Sequence, residues 1–316
     1  MATFPAQRRL LALCAIEVER QAVDWSLVAR EAQLPGGLDS LWGGAVQERG
    51  AAAERSRRVL RQGLRQPEQL FARVDRELDA SAGVGARLVT VLDPEYPANL
   101  RMVHNLPPFL FVRGSLEDAD VRSVAVVGTR RASEVGMRRA ARMARLLSER
   151  GVTVVSGLAR GVDTAVHRAA LAAGGRTAAV LGTGILRTYP PENGDLAAEI
   201  ADRGALVSQF WPTRAPTKDT FPRRNVVMSG LTQGTVVIEA GNMSGARMQA
   251  RLAIEHGKSV FLLRSLVNDQ PWAQSYVRRR GAIEVGDVDE VVEHLAAPDR
   301  VIQLAEQRRQ LSFASL

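Results

Sequence analysis

From about Leu88 onward the apolar residues fall into short runs nearly free of charge, separated by longer stretches in which apolar positions recur every three or four residues. The runs Val124–Val127, Val152–Val155, Thr177–Leu181, Ala205–Gln209, Thr235–Glu239, Ser259–Leu263 and Ala282–Val285 predict strands. The intervening stretches predict helices over Ser133–Arg150, Val162–Ala173, Gly194–Arg203, Arg223–Leu231, Ala246–His256 and Trp272–Arg280, with Asp287–Leu295 closing the series. Strands without internal charge that alternate with amphipathic helices are buried on both faces, which is the pattern of a parallel sheet. The expected fold is α/β, a Rossmann-like doubly wound domain with a mainly parallel sheet.

Upstream the period changes. Residues 1–82 predict a small all-α domain with helices over Arg9–Ala22, Leu27–Ala32, Gln47–Arg65 and Pro67–Leu78, and Gly36 and Gly37 mark a turn. Ser81–Gly85 is a small-residue linker. The prolines of Asp93–Arg101 and Pro107–Leu116 punctuate extended pieces expected at a sheet edge. The Rossmann-like domain spans 87–297, and 298–316 is expected to be a basic tail.

Composition narrows the classes. With 316 residues, 46% of them hydrophobic, the chain is long enough for two packed units. Its longest apolar runs fall well short of the roughly 20 residues that cross a bilayer. The opening segment runs into Glu17 and Glu19 without a small-residue cleavage site, so it reads as a helix and the protein as cytoplasmic. Cys14 is the single cysteine, which excludes an internal disulfide, and its apolar helical setting predicts a buried structural thiol. His104, His167, His256 and His294 are scattered among different elements, so no metal site is expected. The net charge of +8 favours an anionic partner. Because Lys218 and Lys258 are the only lysines among 42 basic residues, arginine enrichment is equally well explained by codon usage, and position has to decide.

Position favours phosphate. Gly128, Thr129, Arg130, Arg131 and Ser133 form a strand-to-helix turn with two guanidinium groups at the positive end of a helix dipole. A second turn, Ser156–Asp163, supplies Ser156, Gly157, Arg160 and Gly161, and a third offers Ser244 and Gly245. The loop Pro216–Asn225 interleaves Lys218, Arg223 and Arg224 with Phe221, ahead of Asn225, a combination suited to phosphates plus a stacked base. All of these follow strand ends, where open parallel sheets bind ligands. Asp163, His167 and Glu239 are expected to organise loops: Asp163 and His167 share a helix face and can hydrogen-bond, while Glu239 can accept loop N–H groups. Neither a G-x-G-x-x-G fingerprint nor a G-x-x-x-x-G-K-[ST] loop occurs at these turns, so no nicotinamide, flavin or P-loop nucleotide cofactor is expected.

The ordered segments VAVVGTRRAS, VVSGLARGVDTAVH, YPPEN, FPRRN and VVIEAGNMSG, preceded by DPEYPANL and PPFLFVRG, resemble the DprA/Smf family of DNA-processing proteins over about Leu88–Val285. The resemblance implies an extended Rossmann domain that binds single-stranded DNA through Arg130, Arg131, Lys218, Arg223 and Arg224. It also implies a homodimer, loading of the RecA recombinase during natural transformation, a sterile-alpha-motif-like N-terminal domain, and no catalysis. The chain departs from the family pattern at Val226–Met228, at Ser208-Gln209 in place of serine-glutamate, at Ser244–Ala250, at Phe261–Val267, and in having no C-terminal winged-helix-like segment.

Two other classes compete. A nucleotide-hydrolysing enzyme of the phosphoribohydrolase type uses a related Rossmann variant, but its P-G-G-x-G-T-x-x-E signature is absent and Glu239 sits differently in GTVVIEAG. An interaction scaffold with a small nucleotide ligand is the third class.

Overall fold

The computed structural model describes residues 5–279 and 281–314, with side-chain surroundings through Gln307. The first four residues, the expected helix end at Arg280 and the last two residues of the expected tail lie outside the described residues.

A nine-stranded sheet forms the centre. After a short hairpin of Glu17–Val18 (β1) and Gln21–Ala22 (β2), its strands are Ala86–Thr90 (β3), Phe109–Gly114 (β4), Ser123–Val127 (β5), Thr153–Ser156 (β6) and Thr177–Val180 (β7). They continue with Ala205–Ser208 (β8), Gly234–Val237 (β9), Ser259–Leu263 (β10) and Ile283–Val285 (β11). The order across the sheet is β11-β10-β9-β5-β6-β7-β8-β4-β3. Strands β5 to β11 run parallel, and β4 and β3 add an antiparallel edge, with Phe111 opposite Ser208 and Leu88 opposite Phe111. Every residue of β5 through β9 is buried, as uncharged β-branched runs require when helices cover both faces. The α/β, Rossmann-like expectation agrees with this sheet.

Near the N-terminus the expected Arg9–Ala22 helix is replaced by a helix over Pro5–Cys14 and the β1–β2 hairpin. Glu19 and Arg20 take left-handed φ values of 50° and 63°, a two-residue turn usually marked by Asn or Gly and carrying no such mark here. The Trp25 indole donates to the Cys14 carbonyl at 3.1 Å, where the helix ends. Cys14 is buried, and burial pushes its thiol well above the ordinary range, in keeping with a structural role. Asp24 caps the next helix, Trp25–Ala32, by accepting from the Ser26 and Leu27 amides. Helices over Gly37–Trp42, Ala51–Gly63 and Pro67–Ala82 complete this end. Trp25 packs on both Phe109 and Trp211, at 5.0 and 6.2 Å, and those two rings touch each other at 5.2 Å, so the N-terminal helices share an apolar core with the antiparallel edge of the sheet.

Residues Pro298–Ala314 form a helix where a tail was expected. Ala305 is buried as the helix packs on Ala98–Arg101 and Asp118–Val121. Strand β4 is paired on both sides, so of these two extended pieces only β3 lies at an edge of the sheet. No helix among the described residues is long and apolar enough to cross a membrane.

Candidate nucleic-acid interface

Strand β5 has β6 on one side and β9 on the other, so the strand order reverses there and a crevice opens beyond the carboxyl ends of β5 and β9. The crevice encloses about 560 Å³. The structure brings together around it Gly128, Thr129, Arg130, Arg131, Asp163, Lys218, Phe221, Arg224, Asn225, Ser244 and Gly245. Gly128 lets the turn pass against the helix Val162–Ala172, because a Cβ there would lie 2.4 Å from Val162 Cγ2. Gly161, at φ +76°, lies so close to the same turn that a Cβ would meet the Thr129 carbonyl oxygen at 2.5 Å.

The free charge is on three side chains. Arg130, Arg131 and Lys218 are exposed and make no ion pair among the described residues. The Arg130 guanidinium lies over the Phe221 ring, 5.1 Å from its centroid, and its edge remains open to an acceptor. Phe221 rests on the turn at Gly182, where a Cβ would sit 2.8 Å from the ring. Tyr189 extends the aromatic surface, with its ring 5.8 Å from that of Phe221. A flat cation on an aromatic platform beside two further cations can bind phosphates and stack bases without reading sequence.

The helix Thr220–Leu231 starts three residues before the expected Arg223, and that shift sorts its basic residues. Successive helical positions diverge by about 100°. Phe221, Arg224, Asn225 and Met228 therefore share the crevice face, while Arg223 and Val226 face a separate cavity. Arg223 stacks on Trp25 at 4.9 Å and on Phe210 at 5.2 Å, away from Phe221, around which it was expected. Arg224 is 6% exposed and donates to the carbonyl oxygens of Gly157 at 2.6 Å and Val180 at 3.1 Å and to Asn225 Oδ1 at 2.9 Å. It builds the floor of the crevice rather than a free fork. Gly157 is where it must be, since a Cβ would lie 1.6 Å from Arg224 Nη1.

Other nominated residues are likewise already engaged. Ser156 is buried and donates to the Val126 carbonyl at 2.8 Å. Arg160 forms a bidentate pair with Glu192. The helix Glu134–Glu149 is capped at its start: Ser133 Oγ accepts from the Gly136 amide at 2.9 Å, and the Ser133 amide and hydroxyl donate to Glu239, the hydroxyl at 2.6 Å. Glu239 thus ties the loop to the helix start, and its main-chain carbonyl also accepts from the Thr129 amide. Ser244 caps Gly245–Glu255 in the same way, accepting from the Arg247 amide at 3.1 Å.

Asp163 and His167 do not pair with each other. Asp163 turns back on its own loop and accepts from the Ala159 amide at 3.2 Å; burial raises its pKa, against the opposing effect of Arg224. His167 Nδ1 meets Thr177 Oγ1 at 2.8 Å, and because that hydroxyl donates to the Val154 carbonyl at 2.6 Å, Nδ1 must carry the proton. Burial, reinforced by Arg224, lowers the His167 pKa from 6.5 to about 3. The folded value lies below the unfolded one, so the unfolded chain takes up the proton first as pH falls. Stability from this group is complete above about 6.5 and is lost as pH drops toward about 3. Urea denaturation at neutral and acid pH should show about 2 kcal/mol more acid sensitivity in the wild type than in His167→Asn.

Reading the sequence missed Tyr189, Met243 and Gln249. Met243 is fully exposed at the lip of the crevice and Gln249 is buried in its wall. An apolar side chain amid the polar Gly241–Gly245 loop was the available signal for Met243; for Gln249 there was none.

Comparison with known proteins agrees with this geometry. The family profile described as DNA recombination-mediator protein A matches residues 87–296. The chain is 40% identical to Protein Smf of Escherichia coli over 202 residues, 63% of this chain and 54% of that one. It is 31% identical to the DNA processing protein DprA of Bacillus subtilis over 242 residues, 76% of this chain and 80% of that one. The chain therefore spans about half the length of the first relative and most of the second. Among solved structures, that of DprA from Streptococcus pneumoniae superposes with a TM-score of 0.72 at 27% identity, covering 94% of this chain and 100% of that one. A second, titled for the single-stranded DNA binding mode of DprA from Helicobacter pylori, superposes with a TM-score of 0.59 at 24% identity over 66% of this chain and 94% of that one, a likeness of fold. With its switch-point crevice, its ordered motifs and a profile match over most of its length, the chain belongs to the DNA recombination-mediator protein A family, also called DprA/Smf.

Proposed function

We propose that the protein binds single-stranded DNA in the switch-point crevice and acts as a recombination mediator, without turnover, to protect incoming strands and load the RecA recombinase in natural transformation. The observation that carries this reading is the unpaired Arg130 guanidinium lying on Phe221, flanked by Arg131 and Lys218. Phosphates take the charges and bases take the aromatic surface formed with Tyr189. The Helicobacter pylori relative, titled for its single-stranded DNA binding, supports the same ligand here. The proposed protomer arrangement is a homodimer in the cytoplasm, and residues 1–82 serve as a sterile-alpha-motif-like domain beside the Rossmann-like domain of 87–297.

A nucleotide-hydrolysing role is disfavoured by Glu239, whose carboxylate is occupied by the Ser133 amide and hydroxyl.

Fluorescence anisotropy with labelled single-stranded and duplex oligonucleotides at two salt concentrations tests the proposal. Single strands should bind more tightly, with affinity falling by a log–log slope of about −0.7 per neutralised phosphate. Equal affinity for both forms, or binding indifferent to salt, would sink it.

A further inference from the structure

A second cavity, of about 480 Å³, lies between the N-terminal helices and the antiparallel edge of the sheet. Its walls are aromatic, with Trp25, Phe210 and Trp211. Its polar groups are unusual in kind. Arg73 lies over Trp211 at 5.2 Å and Arg223 over Trp25 and Phe210, so two guanidinium planes sit on indole and phenyl faces; Arg73 Nη1 donates to the Ala15 carbonyl at 3.2 Å, and neither guanidinium has an ion-pair partner among the described residues. Arg214 adds a third cation to the lining. Gln209 is 6% exposed, and its buried Nε2 has no hydrogen-bond partner among the described residues. An unpaired buried amide donor is a cost to the fold that a ligand acceptor would recover.

The lining carboxylates form no ion pair with Arg73 or Arg223 among the described residues. Asp24 is engaged with the Ser26 and Leu27 amides, and Glu17 is exposed in the hairpin. Asp219 approaches Arg214 at 3.6 Å, which leaves Arg73 and Arg223 as cations without an ion pair among the described residues. Aromatic walls, in-plane cationic donors and one amide donor together suit a flat aromatic group bearing a phosphate. The volume lies within the usual range for small-molecule sites, roughly 300–1,000 Å³.

From this juxtaposition we infer that the cavity binds a phosphorylated nucleoside, with the base against Trp25 and Trp211, a base carbonyl on Gln209 Nε2 and the phosphate on Arg73 and Arg223. The source is either a free mononucleotide or the phosphorylated end of a strand. The site is distinct from the crevice: Arg223 and Arg224 project from different faces of the helix Thr220–Leu231 that separates the two.

Isothermal titration calorimetry of the full chain with each deoxynucleoside 5′-monophosphate tests this. Wild type and Arg130→Ala should bind alike, and Arg223→Gln and Gln209→Leu should each weaken binding about tenfold or more, with the thermal midpoint of Gln209→Leu no lower than that of wild type. Gln209→Leu guards against a fold defect in the arginine variant, because the amide it removes makes no side-chain hydrogen bond among the described residues. In the Arg130→Ala background, tighter binding of a 5′-phosphorylated strand than of its 5′-hydroxyl counterpart identifies a strand end as the source. Binding of mononucleotides with no such difference identifies the free nucleotide. No heat with any mononucleotide at millimolar concentration overturns the inference, as does loss of binding in Arg130→Ala but not in Arg223→Gln. Because Arg130→Ala is the variant that disables the crevice, failure of the cavity and failure of single-strand binding give different patterns.

Discussion

The triple replacement Arg130→Ala, Arg131→Ala, Lys218→Ala is expected to lower single-strand affinity on the order of a hundredfold at moderate salt and to flatten the log–log salt dependence by about 2. The size follows from what these side chains lack. All three are exposed and unpaired among the described residues, so each is available to displace a counterion from a phosphate. Arg130 contributes a second effect through its place over Phe221: Arg130→Lys should preserve the salt slope yet lose affinity, because an ammonium does not stack as a planar guanidinium does. Anisotropy titrations over a range of salt separate the two. Because none of the three supports a buried group, thermal midpoints should be unchanged, and an unchanged affinity in the triple variant would place the strand elsewhere.

Arg224→Leu should have the opposite signature, losing about 3 kcal/mol of stability in urea denaturation. The change leaves the Gly157 and Val180 carbonyls, buried at the ends of neighbouring strands, without their donor. It also deprives the buried Asp163 of its compensating cation and removes a positive charge that helps to hold down the His167 pKa. The variant should therefore titrate His167 at a higher pH than the wild type, a shift readable by NMR of the imidazole. A stable variant with lost strand binding would instead make Arg224 a direct phosphate ligand.

These contrasting expectations mark where the sequence could be read and where it could not. Strands β5 to β10 were legible because burial on both faces excludes charge from the run itself, a constraint written residue by residue. The crevice was legible because glycines and small polar residues must follow those strands. The roles of neighbouring arginines were not. Arg223 and Arg224 are chemically identical and adjacent, and only the true start of their helix, three residues earlier than its pattern indicated, decides which one faces the crevice floor and which one the second cavity. The β1–β2 hairpin was hidden for a different reason, since its turn places Glu19 and Arg20 in a conformation that their side chains do not advertise. The helix Pro298–Ala314 was hidden because, among its residues 298–307, only Ala305 is buried, so that its composition reads as a polar tail.

The Arg224 guanidinium joins one helix to the ends of β6 and β7 through two hydrogen bonds, and a third, to Asn225 of the same helix, holds its orientation. In entropic terms the floor of the crevice is therefore frozen before any ligand arrives, whereas the donors above it keep their rotamers. Ordering on binding should fall on Arg131 and Lys218, at about 0.5–1.5 kcal/mol for each side chain immobilised, and less on Arg130, which Phe221 already restrains. Affinity in this protein is then limited by the looseness of its cations and not by the shape of its crevice, and a variant that tethers those side chains would bind more tightly without any new contact to the strand.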